Sequence, residues 1–283
     1  MPWNSKGIAL SEMERPYLDE KQSESAIAQK LGVRQSTVSR RLRKAKVTRS
    51  SSEGFKLLRD KGWRAHKLYS VNQLFFKTWT PQSAWVLGWI ASDGHIDLKD
   101  KRITLALSER DAAIVYKIRE LLTSSHPIKL FPGKLVRFPH NKSYYCQGIA
   151  RLVINSEQLC LDASNLLNSL NDIPLICLGH FIRGLFEGDG NGRMIHKPFW
   201  TGSEITIAGQ YNLLSTCLDL LRQNLVIDRG SIIRHGHDNC WILGVYNKLD
   251  CSHLFQLMYN KAGGFFLPRK KNKLKELEYA NTG

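Results

Sequence analysis

The chain has 283 residues, 42% of them hydrophobic, which is enough apolar surface for a core and excludes a chain disordered throughout. Its longest apolar-plus-glycine run, Ala84–Ala91, is far short of the roughly 20 residues that cross a bilayer, and the N-terminus lacks the charged and apolar regions of a secretory leader. Forty-one Lys and Arg against 25 Asp and Glu leave a net charge of +16, which points to a polyanionic partner, most often nucleic acid.

The surplus is concentrated at the start. Residues 1–80 hold 17 basic and 7 acidic side chains, against 24 and 18 in the rest. Within SESAIAQKLGVRQSTVSRRLRKAKV, Ser23 suits the N-cap of a short helix through Leu31, with Ile27, Ala28 and Leu31 on its apolar face. Gly32 supplies a turn and Val33 packs beneath it. A second helix is expected from about Ser36, with Val38 and Leu42 inward and Arg40, Arg41, Arg43 and Lys44 outward. The pattern resembles a helix-turn-helix DNA-binding unit, in which Arg34, Gln35, Ser36, Thr37 and Arg40 would meet bases and phosphates. The competing reading is a basic helical hairpin with no groove contact. Residues 1–50 are therefore read as a DNA-binding domain and 51–79, Ser-rich and then basic and aromatic, as a basic linker.

The remainder repeats itself. TPQSAWVLGWIASDG and LGHFIRGLFEGDG are both expected to be helices, the first capped by Thr80 with Pro81 at its first position. They end at Asp93 and Asp189, with Gly94 and Gly190 as C′ residues. After each come a strand (KRITLALS; EITIAG), a helix (RDAAIVYKIRELLTSS; YNLLSTCLDLLRQNL), a further strand (GIARLVIN; NCWILGVYN) and a last helix (EQLCLDASNLLNSL; CSHLFQLMYNK). Two α+β units, 80–175 and 176–283, are thus expected side by side. Gly88 and Ser92 fall on one helix face, as do Gly184 and Gly188, so the two opening helices can approach closely and bring Asp93 and Asp189 together. Two helix C-termini and two carboxylates make a hole that repels phosphate unless a divalent cation reverses the sign, and hard oxygen ligands suit Mg2+ (or Mn2+). Such a centre can hydrolyse a phosphodiester. The alternative is a plain turn after each helix.

VLGWIASDG (86–94) and IRGLFEGDG (182–190) resemble the paired LAGLIDADG motifs of homing endonucleases, over about residues 80–283. The resemblance implies a duplicated αββαββα α+β fold with pseudo-two-fold symmetry, preceded here by the small all-α helix-turn-helix domain, whose two antiparallel sheets form a saddle over double-stranded DNA. It implies a monomer that cuts a long target in both strands to leave 3′ overhangs, using Mg2+. It makes Asp93 and Asp189 the catalytic, metal-holding acids, with carbonyls flanking them, at Gly94 and Gly190, as further ligands. The family's first Asp is Ala91 in one copy and Glu187 in the other. A basic residue near the scissile phosphates has its candidate in Lys270, whose other reading is a solvated basic helix start.

On the strands, period-two alternation turns Ile103, Leu105, Leu107, Ile205 and Ile207 toward the helices and Thr104 and Thr206 toward DNA. Lys99, Lys101, Arg137, Arg193, Arg229, Arg234, His235 and His237 are further DNA-contact candidates. The six scattered cysteines read as reduced core thiols. Intron RNA, in a maturase, is an alternative partner, and a non-catalytic DNA-binding regulator of the same fold an alternative function. The expected location is the cytoplasm or nucleoid of a prokaryotic or phage host, or an organelle.

Overall fold

The computed structural model describes residues 7–60, 68–137, 143–236 and 240–279. The chain divides into two compact units between Leu68 and Tyr69. In the first, helices α1 (Ser11–Leu18), α2 (Glu24–Lys30) and α3 (Gln35–Lys44) enclose a small core of Met13, Tyr17, Ile27, Ala28, Val38 and Leu42. Ser23 caps α2 by accepting from the Ala26 N–H at 3.2 Å, and Gly32 turns the chain with φ of +64°. Helix α1 goes beyond the sequence reading, because its stretch SEMERPYL is too polar to show an apolar stripe.

Residues 51–79, read above as a linker, divide between the units. Ser51–Asp60 form helix α4, started by a reciprocal cap in which Glu53 accepts from the Ser50 N–H at 2.8 Å and the Ser50 hydroxyl accepts from the Glu53 N–H at 3.3 Å. Residues 69–79 belong to the second unit. Phe76 is buried in its core, and the Asn72 N–H donates to Leu122 O at 2.9 Å.

The second unit contains two successive α+β halves. The first runs α5 (Pro81–Asp93), β1 (Gly94–Asp97), β2 (Arg102–Ser108), α6 (Ala112–Leu121), β3 (Ile128–Phe131), β4 (Lys134–Arg137), β5 (Ser143–Cys146), β6 (Ile149–Asn155) and α7 (Glu157–Asn168). The second runs α8 (Leu175–Asp189), β7 (Gly190–Lys197), β8 (Trp200–Gly209), α9 (Tyr211–Gln223), β9 (Ser231–His235), β10 (Cys240–Val245) and α10 (Lys248–Tyr259). A strap follows, with α11 (Pro268–Asn272) and a 3-10 turn over Lys275–Tyr279. The sheets are ordered β1-β2-β6-β3 and β7-β8-β10-β9, all neighbours antiparallel, while β4 and β5 pair as a separate ribbon inserted in the first half.

Alternation decides the faces. Ile103, Leu105 and Leu107 on β2 and Ile205 and Ile207 on β8 are buried against the helices, and Thr104 and Thr206 alternate to the open face. One core joins both halves through α5 and α8. All six cysteines are free thiols, and Cys160, Cys177, Cys217 and Cys251 lie in the interior.

Candidate active site and nucleic-acid interface

Helix α5 starts at a capping box between Thr80 and Ser83, with Pro81 in its first turn. It packs on α8 with almost nothing between the backbones. A Cβ on Gly88 would lie 2.7 Å from Leu185 N and 2.9 Å from Gly184 Cα, and one on Gly184 3.0 Å from Trp89 N. The close approach continues to the C-terminal ends, where a Cβ on Gly188 would lie 2.5 Å from both Ser92 Cβ and Asp93 Oδ2. Asp93 and Asp189 thus end adjacent helices within electrostatic reach of one another. Gly94 and Gly190 are not left-handed caps. Their φ values are −102° and −90°, and glycine is required because a Cβ would strike Ile90 or Phe186 one turn back.

Both carboxylates are reached by solvent from one side and walled by protein on the other. Desolvation, and then the charge of Asp189, push Asp93 up to about 6, and the Ser92 hydroxyl at 3.3 Å opposes the rise. Asp189 is raised by desolvation and pulled back by Lys270. Among the described residues no three His, Cys, Asp or Glu side chains gather as a metal cage. Two carboxylates beside helix-end carbonyls fit a Mg2+-like ion, which keeps several waters and takes only one or two carboxylates.

Lys270 is not a solvated helix start. It is buried, and its ammonium donates to the carbonyls of Phe186 at 2.9 Å, Gly188 at 2.6 Å and Gly190 at 2.8 Å. All three protons are spent on the negative end of α8. Burial pushes this ammonium down to about 8. The Gly190 carbonyl, expected among metal ligands, therefore already accepts from Lys270, whereas Gly94 opens β1 opposite Leu105.

The strap that carries Lys270 is fixed at two points that sequence reasoning did not find. Arg269 donates to both oxygens of Asp111 in the first half, at 2.9 and 2.6 Å. The Leu267 N–H donates at 2.8 Å to Glu187, whose other oxygen accepts from Trp85 Nε1 at 3.0 Å. Glu187, at the place of the first Asp in the LAGLIDADG motif that this stretch resembles, is wholly buried and raised by desolvation to about 7, so it ties helices and strap together rather than facing Asp93. The basic run RKK marks the strap in the sequence, but nothing local marks Asp111 as its partner.

The DNA-contact candidates fall in different settings. Arg34 N-caps α3, and Gln35, Ser36 and Arg40 are exposed on it with Thr37 half-buried. Lys99 and Lys101 lie in the β1–β2 turn, Lys101 paired with Glu157 at 2.7 Å. Arg193 is on the open face of the second sheet, bound to Glu204 at 2.7 Å. Arg229 precedes β9, and its N–H donates to Asp250 at 2.9 Å. His235 pairs opposite Cys240 on the open face, while Arg234, opposite Trp241, is on the helix-facing alternation. Arg137 ends β4, and His237 lies outside the described residues. The open face of the first sheet adds Lys129 opposite Arg151, whose guanidinium lies 4.9 Å from the Phe131 ring centre.

No family model and no curated protein matches the chain. Solved structures similar to it include LAGLIDADG homing endonucleases and WhiA. Mesophilic variants of the homing endonuclease I-DmoI match at 16% identity over 69% of this chain and 97% of theirs, with a TM-score of 0.48. The homing endonuclease I-WcaI, solved bound to its DNA recognition sequence, matches at 17% over 71% of this chain and 90% of its own, with a TM-score of 0.47. Full-length WhiA from Thermatoga maritima matches at 16% over 73% of this chain and 63% of its own, with a TM-score of 0.42. I-DmoI has also been solved in complex with DNA and Mn, and with DNA and Ca. At these identities and scores, the functional reading is carried by the chain's own residues.

Proposed function

We propose that the chain is a metal-dependent, site-specific DNA endonuclease of the homing type, acting as a monomer with two pseudo-symmetric halves. The observation that carries this reading is the meeting of Asp93 and Asp189 at the ends of two glycine-packed helices, where each carboxylate is raised by its surroundings. Holding two acids in this way stabilises nothing by itself, and a bound cation gives them a purpose. A divalent ion there, Mg2+ or Mn2+, supplies charge neutralisation at the scissile phosphate and an activated water.

The chain's own residues do the rest. Asp93 and Asp189, once ionised, hold and orient the cation. Lys270 cancels the negative end of α8, so that a phosphate can approach Asp189 with less repulsion. The open faces of the two sheets, with Thr104, Arg151, Thr206 and His235, take the duplex. Phosphate contacts supply affinity and base-edge contacts choose the site. The first unit, read as a helix-turn-helix with Arg34, Gln35, Ser36, Thr37 and Arg40 on DNA, lengthens the footprint. The location expected from this reading is a nucleoid or an organelle.

Sequencing the ends made by purified protein with Mg2+ on an intron-insertion-site library tests the reading. Staggered double-strand cuts are expected. Asp93→Asn and Asp189→Asn should each lower cleavage at least about 100-fold with binding retained. Cutting by both variants at the wild-type rate would remove the assignment of the acids. Wild-type binding with no cleavage at all would leave a regulator, and stimulated splicing of a host intron a maturase.

A further inference from the structure

The β7–β8 hairpin reaches well beyond the acids. From Gly190, beside the acidic centre, seven residue steps along β7 to Lys197 span about 23 Å at ~3.3 Å per residue. At that outer end is a hollow of about 530 Å³ whose lining includes Trp200, Gly202, Arg229, Ser231, Tyr246 and Lys248.

Two glycines clear room for its rings. Gly202 and Gly244 alternate with the buried positions of β8 and β10, so both are on the open face of the sheet. A Cβ on Gly202 would lie 2.9 Å from Trp200 Cζ3, and one on Gly244 2.7 Å from Tyr246 Cε2. Both rings are therefore folded over the open face. They are half-exposed there, at 53% and 49%; Arg229 and Lys248 line the same hollow, and the Lys197 ammonium lies 5.8 Å from the Trp200 ring centre. The corresponding hairpin end in the first half is different. There Arg102 pairs with Asp97 at 3.2 Å and no aromatic residue stands at the turn.

Aromatic faces flanked by cations suit a nucleobase with its phosphates. In an intact duplex both faces of a base are covered by its neighbours, so only an unstacked base can fill such a hollow. Its volume is within the range of ordinary small-ligand pockets. We propose that the hollow seats one unpaired nucleobase at the outer edge of bound DNA, with the flanking phosphates on Arg229 and Lys248. The inference goes beyond the endonuclease reading, since it requires DNA binding but no cleavage.

The test uses the full chain in EDTA and two short duplexes of one sequence, one fully paired and one carrying a single unpaired 2-aminopurine. The wild type is expected to bind the second roughly tenfold more tightly, as one base–aromatic stack implies, and to quench its fluorescence. Trp200→Ala and Tyr246→Ala should lose most of that preference and keep the affinity for paired DNA, while Trp200→Phe, the control for folding, keeps most of both. Equal wild-type affinity for the two probes overturns the proposal. So does a preference that survives both alanine variants, or an equal loss on both probes, which would mark ordinary backbone contacts. Absence of cleavage with the preference intact counts against the endonuclease alone, and cleavage without the preference against the hollow alone.

Discussion

Helices α5 and α8 end alike, in an aspartate followed by a glycine that opens a strand, but they are embedded differently. The end of α8 is clamped by Lys270 on three carbonyls, and the turn before it holds the buried Glu187, tied to Trp85 and to the strap. At the end of α5, among the described residues, the Ser92 hydroxyl is the hydrogen-bond partner of Asp93, which desolvation and then the charge of Asp189 raise to about 6. Equivalence in sequence therefore does not make the two acids equivalent in environment. The second half supplies most of the scaffold of the centre, and its Lys270 offsets the charge of both acids, that of the first half included.

The largest effect should come from the contact the two helices share. Gly88→Val puts a branched side chain where a single Cβ already overlaps the backbone of α8, and at least about 3 kcal/mol of stability should be lost, read as a lower urea midpoint. An unchanged midpoint would mean that the helices can separate without cost. Lys270→Met comes next. It strands acceptors at Phe186 and Gly190, at about 1–3 kcal/mol for each unsatisfied buried group, so a loss of about 3 kcal/mol is expected. On the endonuclease reading it should also slow one strand's cleavage more than the other's, so that nicked plasmid accumulates. Equal slowing of both strands would contradict the asymmetry.

That asymmetry marks the limit of what the sequence reveals. The repeat, the helix ends and the acids are legible because each depends on local spacing: Gly88 with Ser92, Gly184 with Gly188, and alternating aliphatic residues on β2 and β8. The role of Lys270 is not, since its acceptors lie 80 to 84 residues earlier and none belongs to a side chain. Nor can Glu187 be told from a metal-facing acid by its place in the motif. Its direction is set by Trp85 from one side and Leu267 from the other, both brought there by folding. Helix α4 had a visible signal in Ser50-x-x-Glu53, hidden within a Ser-rich stretch that reads as a linker.

Asp111 and Arg269 sharpen the comparison at a smaller magnitude, because they lock the strap of the second half onto the first. Burial alone would raise Asp111, but the two hydrogen bonds from Arg269 win and hold it below the ordinary aspartate value. A lowered acid contributes stability above its unfolded pKa and loses it on acidification through the folded one. Asp111→Asn should therefore cost about 1–2 kcal/mol at neutral pH, with the difference from wild type shrinking as the pH falls below the usual carboxylate range. A cost that does not depend on pH would assign the contact to packing rather than charge.

Asp93 should show the opposite sign and the smallest effect. Its pKa rises from 3.8 to about 6 on folding. Between those values the native state holds a proton that the unfolded state has released, so stability falls as the pH rises through about 6 and the penalty persists above it. Asp93→Asn removes the penalty. In EDTA at pH 8 it should stabilise the chain, and because solvent reaches the carboxylate and screens the repulsion, the gain should be about 1 kcal/mol or less. Below pH 4 both side chains are neutral and the gain should vanish. Asp189→Asn should also gain across the same range, with Lys270 offsetting part of the cost of each carboxylate. Thermal melting of the three proteins from pH 4 to pH 8 decides the matter. No gain for Asp93→Asn at pH 8 would mean that folding does not raise this carboxylate.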